Sequence, residues 1–65
     1  MKRKVSIDYL VPGDLFWLTR GRNAVLYRLY DRKWNSYFGY WIYNYQKVGS
    51  FNFYKKNGEF DVFIL

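Results

Sequence analysis

Apolar residues recur at every second position along two early segments of the chain, which is the period of a β-strand rather than of a helix. The segment 14–20 alternates around Phe16 and Leu18, and the segment 24–32 alternates around a series that begins at Val25. No part of the chain shows the 3.6-residue period of an amphipathic helix. Both segments are therefore predicted β-strands.

A third segment, residues 37–47, has the aromatic and β-branched composition of a strand but no single phase of alternation. Its buried face therefore stays open at this point. Gly39 lies inside the segment and is a candidate position for a bulge or bend.

The dipeptide Asn57-Gly58 is the clearest local turn signal, because both central positions of a type I′ hairpin turn need a positive φ and these residues tolerate it best. Pairing outward from this turn places apolar pairs on one face and an ion pair on the other. The predicted pairs include Lys56 with Glu59, Tyr54 with Asp61, Phe53 with Val62 and Phe51 with Ile64.

Turn-forming or polar residues separate the predicted strands at residues 11–14, 20–23, 33–36, 48–50 and 57–58. Residues 5–9 are a candidate leading strand. The pattern predicts an all-β fold, with a five-stranded antiparallel meander that forms an SH3-like small barrel or a strongly bent sheet. The whole chain, residues 1–65, is expected to be a single small domain.

The stretch Val-Pro-Gly-Asp-Leu-Phe-Trp-Leu at residues 11–18 resembles the opening of small SH3-like barrel proteins of phage and bacterial type. In that family Pro-Gly-Asp, an apolar residue and a Phe lead into the first long strand. The resemblance covers residues 11–18, and residues 61–65 fit its closing strand loosely. It implies a fold and a phage-like origin, and it carries over no functional residue because members of the class have varied roles.

Composition narrows the chemistry that the chain can perform. The 65 residues include no Cys and no His, which removes disulfides, thiolate metal sites, Cys nucleophiles and the commonest general base. The carboxylates are scattered, and no phosphate-binding loop is present. We therefore expect no enzyme, no cofactor and no metal, and we expect a cytoplasmic protein without a membrane segment.

Charge and aromatic content point instead to binding. The chain carries 11 Lys and Arg against 5 Asp and Glu, together with 3 Trp, 8 Tyr and 6 Phe. Aromatic rings can stack on bases while cations meet phosphates, which predicts nucleic-acid binding that is single-stranded or directed at the backbone. The predicted contact residues on this basic–aromatic face are Trp17, Arg28, Tyr30, Arg32, Trp41 and Tyr43.

A second class of function uses the same rings. Tyr, Trp and Arg are enriched at protein–protein hot spots, so a protein-interaction module that binds an acidic protein surface, or a homodimer, is the alternative. The resemblance to phage-type proteins gives that alternative a specific form, an inhibitor or modulator of a host protein.

Overall fold

One antiparallel sheet of six strands forms the protein, which confirms the predicted all-β class. The computed structural model describes all residues from 1 to 65. The strands are β1 (Arg3–Ser6), β2 (Leu15–Trp17), β3 (Leu26–Asn35), β4 (Tyr40–Lys47), β5 (Phe53–Asn57) and β6 (Asp61–Ile64), and a 3₁₀ turn spans Ile7–Tyr9.

The strand order in the sheet is β1-β6-β2-β3-β4-β5. Strands β2 to β5 form the expected meander, in which each strand pairs with the next. The sixth strand departs from it, because β6 crosses to the far side of β2 and pairs with both β1 and β2. The sheet has six strands rather than the five of the predicted meander, a number that the five predicted breaks already allow when residues 5–9 are included. It does not close, so β1 and β5 are free edges.

The hairpin predicted at Asn57-Gly58 is wrong. Gly58 has the positive φ of 80°, but Asn57 does not, so the turn is not type I′. The Gly58 N–H donates to the carbonyl oxygen of Trp41 on β4 at 2.7 Å, and the chain then crosses the sheet instead of folding back. Val62 pairs with Val5 of β1 and is fully buried there, so long-range burial outweighs the local turn preference.

The N-terminal segment is shorter as a strand than residues 5–9 suggested. β1 ends at Ser6, whose side chain accepts a hydrogen bond from the Asp8 N–H at 3.3 Å and opens the 3₁₀ turn. This turn places Ile7 and Leu10 in the core. The two residues close one side of the bent sheet.

The core is small and lies on one face of the sheet, here called the inner face. It is made of Ile7, Leu10, Phe16, Leu29, Tyr43, Tyr45 and Val62, all buried. Aromatic contacts extend it, and the ring of Phe60 in the β5–β6 crossover packs edge-on against Tyr43 with centroids 5.9 Å apart. The opposite face, here called the outer face, has no comparable cluster of buried residues.

The turn between β3 and β4 comes later than residues 33–36. It spans residues 36–39, and Gly39 supplies a positive φ of 75° as the turn closes. Gly39 is thus a turn residue and not a bulge. The phase of the third predicted segment is also settled, because Tyr43 and Tyr45 are buried and place alternate residues of β4 on the inner face.

Candidate nucleic-acid interface

A β-bulge in β3 decides which side chains share a face. Leu29 pairs with Tyr45 and Asp31 pairs with the preceding β4 residue, Asn44, so Tyr30 is left without a cross-strand partner. An extra residue in one strand reverses the alternation beyond it relative to the sequence pattern. Arg28 therefore lies on the outer face, whereas Arg32 lies on the inner face opposite Tyr43.

The six residues predicted as one contact surface consequently divide between the two faces. Trp17, Arg28 and Tyr30 lie on the outer face, as their strand register places them. The inner-face members are Arg32, Trp41 and Tyr43. The expectation of a single shared face for Arg28, Tyr30 and Arg32 is therefore wrong.

Tyr43 is not available to a partner, because its side chain is fully buried. Its hydroxyl donates to Oδ1 of Asp8 at 2.6 Å. Burial first, and then the hydrogen bond to the Asp8 carboxylate, raise the pKa of the Tyr43 phenol well above its usual value. Tyr43 thus ties the 3₁₀ turn to β4, a structural role that the sequence prediction missed.

Arg32 and Trp41 form a local contact of their own on the inner face. The Arg32 guanidinium lies 5.1 Å from the centre of the Trp41 ring, and its Nη1 donates to the Asp8 carbonyl oxygen at 3.5 Å. Trp41 also packs edge-on against Trp34, with centroids 5.5 Å apart. The Arg32 hydrogen bond links the β3–β4 hairpin to the 3₁₀ turn, and all of these contacts lie on the inner face.

The first group on the outer face is the Trp17–Phe63 cluster, defined as Lys2, Trp17, Arg20 and Phe63. Trp17 of β2 and Phe63 of β6 are register partners, so both side chains project from the outer face at directly opposite positions. Lys2 Nζ lies 4.4 Å from the centre of the Trp17 ring, and the Arg20 guanidinium lies 4.9 Å from the centre of the Phe63 ring. Each of two neighbouring rings thus carries its own cation.

A shallow cleft opens beside this cluster. Its lining includes Lys2, Arg20 and Arg22. The sequence alone gave no signal for this group, because Phe63 reaches Trp17 only through the crossover of β6.

The second group is the Tyr30–Phe53 cluster, defined as Arg28, Tyr30 and Phe53. The Tyr30 ring, 63% exposed, packs edge-on against Phe53 with centroids 5.3 Å apart. Arg28 lies on the same face, since Gln46 of β4 pairs with both Arg28 and Phe53. Tyr30, which has no cross-strand partner on β4, thus contacts β5 through its ring.

The outer-face cations are largely free of carboxylate partners. The structure contains one ion pair, between Lys4 and Asp61 at 3.6 Å. Asp14 accepts the Val11 N–H in the turn before β2, and Asp8 accepts the Tyr43 hydroxyl. Arg20 and Arg28 therefore have no carboxylate partner and can bind an external anion.

Two carboxylates meet at the inner face, where the sequence predicted an ion pair of Glu59 with Lys56. Glu59 instead lies beside Asp8, and the hydrogen bond between the two carboxyl groups, with the negative charge of Asp8, raises the pKa of Glu59. Lys56 Nζ lies over the Phe60 ring, 4.8 Å from its centre. No group of three or more acidic, His or Cys side chains is placed to hold a metal ion.

Comparison with protein-family models, with curated proteins and with solved structures finds no match to this chain. None of its helical segments has the length and apolar character that crossing a bilayer requires.

Proposed function

We propose that the protein is a binding module for single-stranded nucleic acid and that its outer face makes the contact. The observation that carries the proposal is the Trp17–Phe63 cluster, in which two adjacent rings each hold a cation. A base can stack on such a ring while the displaced ammonium or guanidinium moves to the neighbouring phosphate. Stacking contributes about 1–3 kcal/mol per base and is tolerant of sequence.

The Tyr30–Phe53 cluster extends this surface across the sheet. Arg28 is the diagonal neighbour of Trp17, because Leu15 pairs with Arg28 and Trp17 pairs with Leu26. A single strand of nucleic acid that lies across β2 and β3 therefore contacts cations and aromatic rings in succession. The proposed function is binding without catalysis. The proposed location is the cytoplasm.

The test is a titration of intrinsic tryptophan fluorescence with single- and double-stranded oligonucleotides at two salt concentrations. Single strands are expected to quench the emission of Trp17 and to bind more weakly at high salt. In Trp17→Phe the quench should disappear, since the remaining Trp34 and Trp41 lie away from the outer face.

Arg28 and Arg32 provide a matched pair of variants for the same titration. Arg28→Gln and Arg32→Gln each remove one charge from β3, but on opposite faces of the sheet. The proposal expects only Arg28→Gln to lower the affinity and to reduce the salt slope by about 0.7, the loss of one phosphate contact on a single strand. Equal effects of the two variants, or no binding at low salt, would overturn it.

Self-association is the second candidate, and the tip of the β3–β4 hairpin favours it. Tyr37 and Phe38 at this tip are 87% and 64% exposed. Residues 34–46 contain no charged side chain, so two molecules of net charge +6 meet there with the least repulsion. A concentration series by sedimentation velocity tests it: a dimer lost in Phe38→Ser supports self-association, and a monomer at every concentration refutes it.

A further inference from the structure

We infer that the free edge of β5 is a second binding site, which accepts an extended acidic peptide as a seventh strand of the sheet. This site goes beyond nucleic-acid binding, because it uses the main chain of β5 and shares only the Phe53 ring with the Tyr30–Phe53 cluster. Three features of β5 suit it to this role: its unpaired backbone, the order of its side chains and its charge.

The backbone of β5 offers unpaired groups on one side. Strand β5 ends the sheet, and all five of its residues are exposed. The Lys47 N–H donates to the Asn52 carbonyl oxygen at 3.1 Å, and the Gly58 N–H donates to that of Trp41 at 2.7 Å. Because hydrogen-bonding direction alternates along an antiparallel strand, the even-numbered residues between these two points face β4.

The N–H and C=O groups of Phe53, Lys55 and Asn57 therefore point away from the sheet. An exposed row of this kind is a template for an incoming strand. Hydrogen bonds to these main-chain groups would supply affinity, and the side chains of β5 would select the sequence that binds.

The order of side chains along β5 specifies what that strand must contain. Two aromatic residues, Phe53 and Tyr54, precede two lysines, Lys55 and Lys56. Neighbouring residues of a strand lie on opposite faces, so each face offers one ring and one ammonium group. A complementary strand needs two consecutive acidic residues next to two consecutive apolar residues, so that a cross-strand partner is present on both faces.

Charge also favours an acidic peptide over a second copy of the chain as the partner of β5. Neither Lys55 nor Lys56 has a carboxylate partner in the structure. If two copies paired through β5 in the register of full overlap, Lys55 would lie opposite Lys55, which is destabilising. An acidic strand instead neutralises both lysines.

The other free edge is less suited to this role. Strand β1 has only four residues, and its Lys4 is already paired with Asp61 at 3.6 Å. Strand β5 is therefore the edge that suits such a peptide.

Amide hydrogen exchange of the wild-type protein tests the site directly. In the free protein the amides of Tyr54 and Lys56 should be protected by β4, and those of Phe53, Lys55 and Asn57 should exchange fast. A synthetic peptide with the core Val-Val-Glu-Glu, and its reversed form Glu-Glu-Val-Val, should each be added. The preferred order shows the strand direction, and protection of the three fast amides by either peptide is the expected result.

Two controls separate strand addition from charge attraction. A peptide of the same composition in which Glu and Val alternate should bind more weakly, because it places both acids on one face. Asn57→Pro keeps every charge and removes one outward N–H, and should weaken binding about fivefold, the effect of one hydrogen bond. Lys55→Gln with Lys56→Gln should weaken it further, whereas Lys33→Gln on β3 should not.

Several results would overturn the inference. These are protection of the three outward amides in the peptide-free protein through dimerisation, equal binding of the alternating peptide, and peptide binding that leaves these amides in fast exchange. A single-stranded oligonucleotide can stack on the Phe53 ring but adds no strand to β5, so it should not protect the Phe53, Lys55 and Asn57 amides together. Failure of nucleic-acid binding and failure of the β5 site are therefore seen separately.

Discussion

Loss of the hydrogen bond from Tyr43 to Asp8 should lower the free energy of unfolding by an amount that can be derived from its geometry. Tyr43→Phe keeps the buried ring and its edge-on contact with Phe60, and removes only the hydroxyl that donates to Asp8 at 2.6 Å. Hydrogen bonds to charged groups contribute about 1.5–3 kcal/mol net. Because Asp8 is exposed and regains water in the variant, we expect the lower end, about 1.5 kcal/mol.

That loss is a large share of the free energy of unfolding. A domain of this length is expected to have a total of about 3–10 kcal/mol. The midpoint of thermal unfolding should fall by about 6–12 °C, given about 4–8 °C per kcal/mol in a domain of this size. Urea unfolding followed by circular dichroism measures the same difference at constant temperature.

A double-mutant cycle and an exposed control complete the test. Once Tyr43→Phe has removed the hydrogen bond, adding Asp8→Ala should lower the free energy of unfolding only slightly further. The coupling energy between the two sites should therefore be about 1 kcal/mol. Tyr9→Phe removes a hydroxyl from a tyrosine that is 78% exposed and should change stability by less than about 0.5 kcal/mol. If Tyr43→Phe matched Tyr9→Phe and the cycle showed no coupling, the reasoning from this bond would be refuted.

Three further predictions concern stability and its pH dependence. The pKa of Glu59 is raised from 4.5 by its hydrogen bond to Asp8. The stabilisation that the protonated Glu59 carboxyl gives the fold is therefore present below pH 4.5 and is lost as the pH rises through the raised pKa. Glu59→Gln, which cannot ionise, should therefore gain stability relative to wild type across that window in urea titrations at stepped pH, and a constant difference would contradict this. Gly58→Ala should cost about 1–2 kcal/mol because φ is 80° there, although no atom crowds the site, while Gly21→Ala, without a positive φ, should be neutral or slightly stabilising by the same assay. Asn35→Ala should lower the free energy of unfolding by about 1 kcal/mol, because the Asn35 Oδ1 accepts two backbone N–H groups of the following turn at 3.0 and 3.1 Å. Thermal unfolding measures this, and a midpoint equal to that of the wild type would contradict it.

Local patterns predicted the strands but not all of their partners. The period-two segments became β2 and β3, and aromatic composition marked β4. The Asn57-Gly58 signal concerned only the neighbouring residues, whereas the partner of β6 was decided by burial of Val62 among residues distant in sequence. Turn propensity is worth little against a core position in so small a domain.

The candidate site could be predicted in part for the same reason. Trp17, Arg28 and Tyr30 lie on the outer face, where the alternation of β2 and the first half of β3 placed them. Arg32 was misplaced because a bulge leaves no mark in an alternating pattern. Phe63 was missed because its neighbour is set by the crossover.

The bulge at Tyr30 has an evolutionary consequence. Since Leu29 and Asp31 already occupy consecutive rungs against β4, a chain that lacked Tyr30 would keep every other residue of β3 on its present face. The ring is therefore equivalent to an insertion that the hairpin accommodates without altering its architecture. Selection could add, exchange or delete this side chain to tune the outer surface, while the positions that build the core remain untouched.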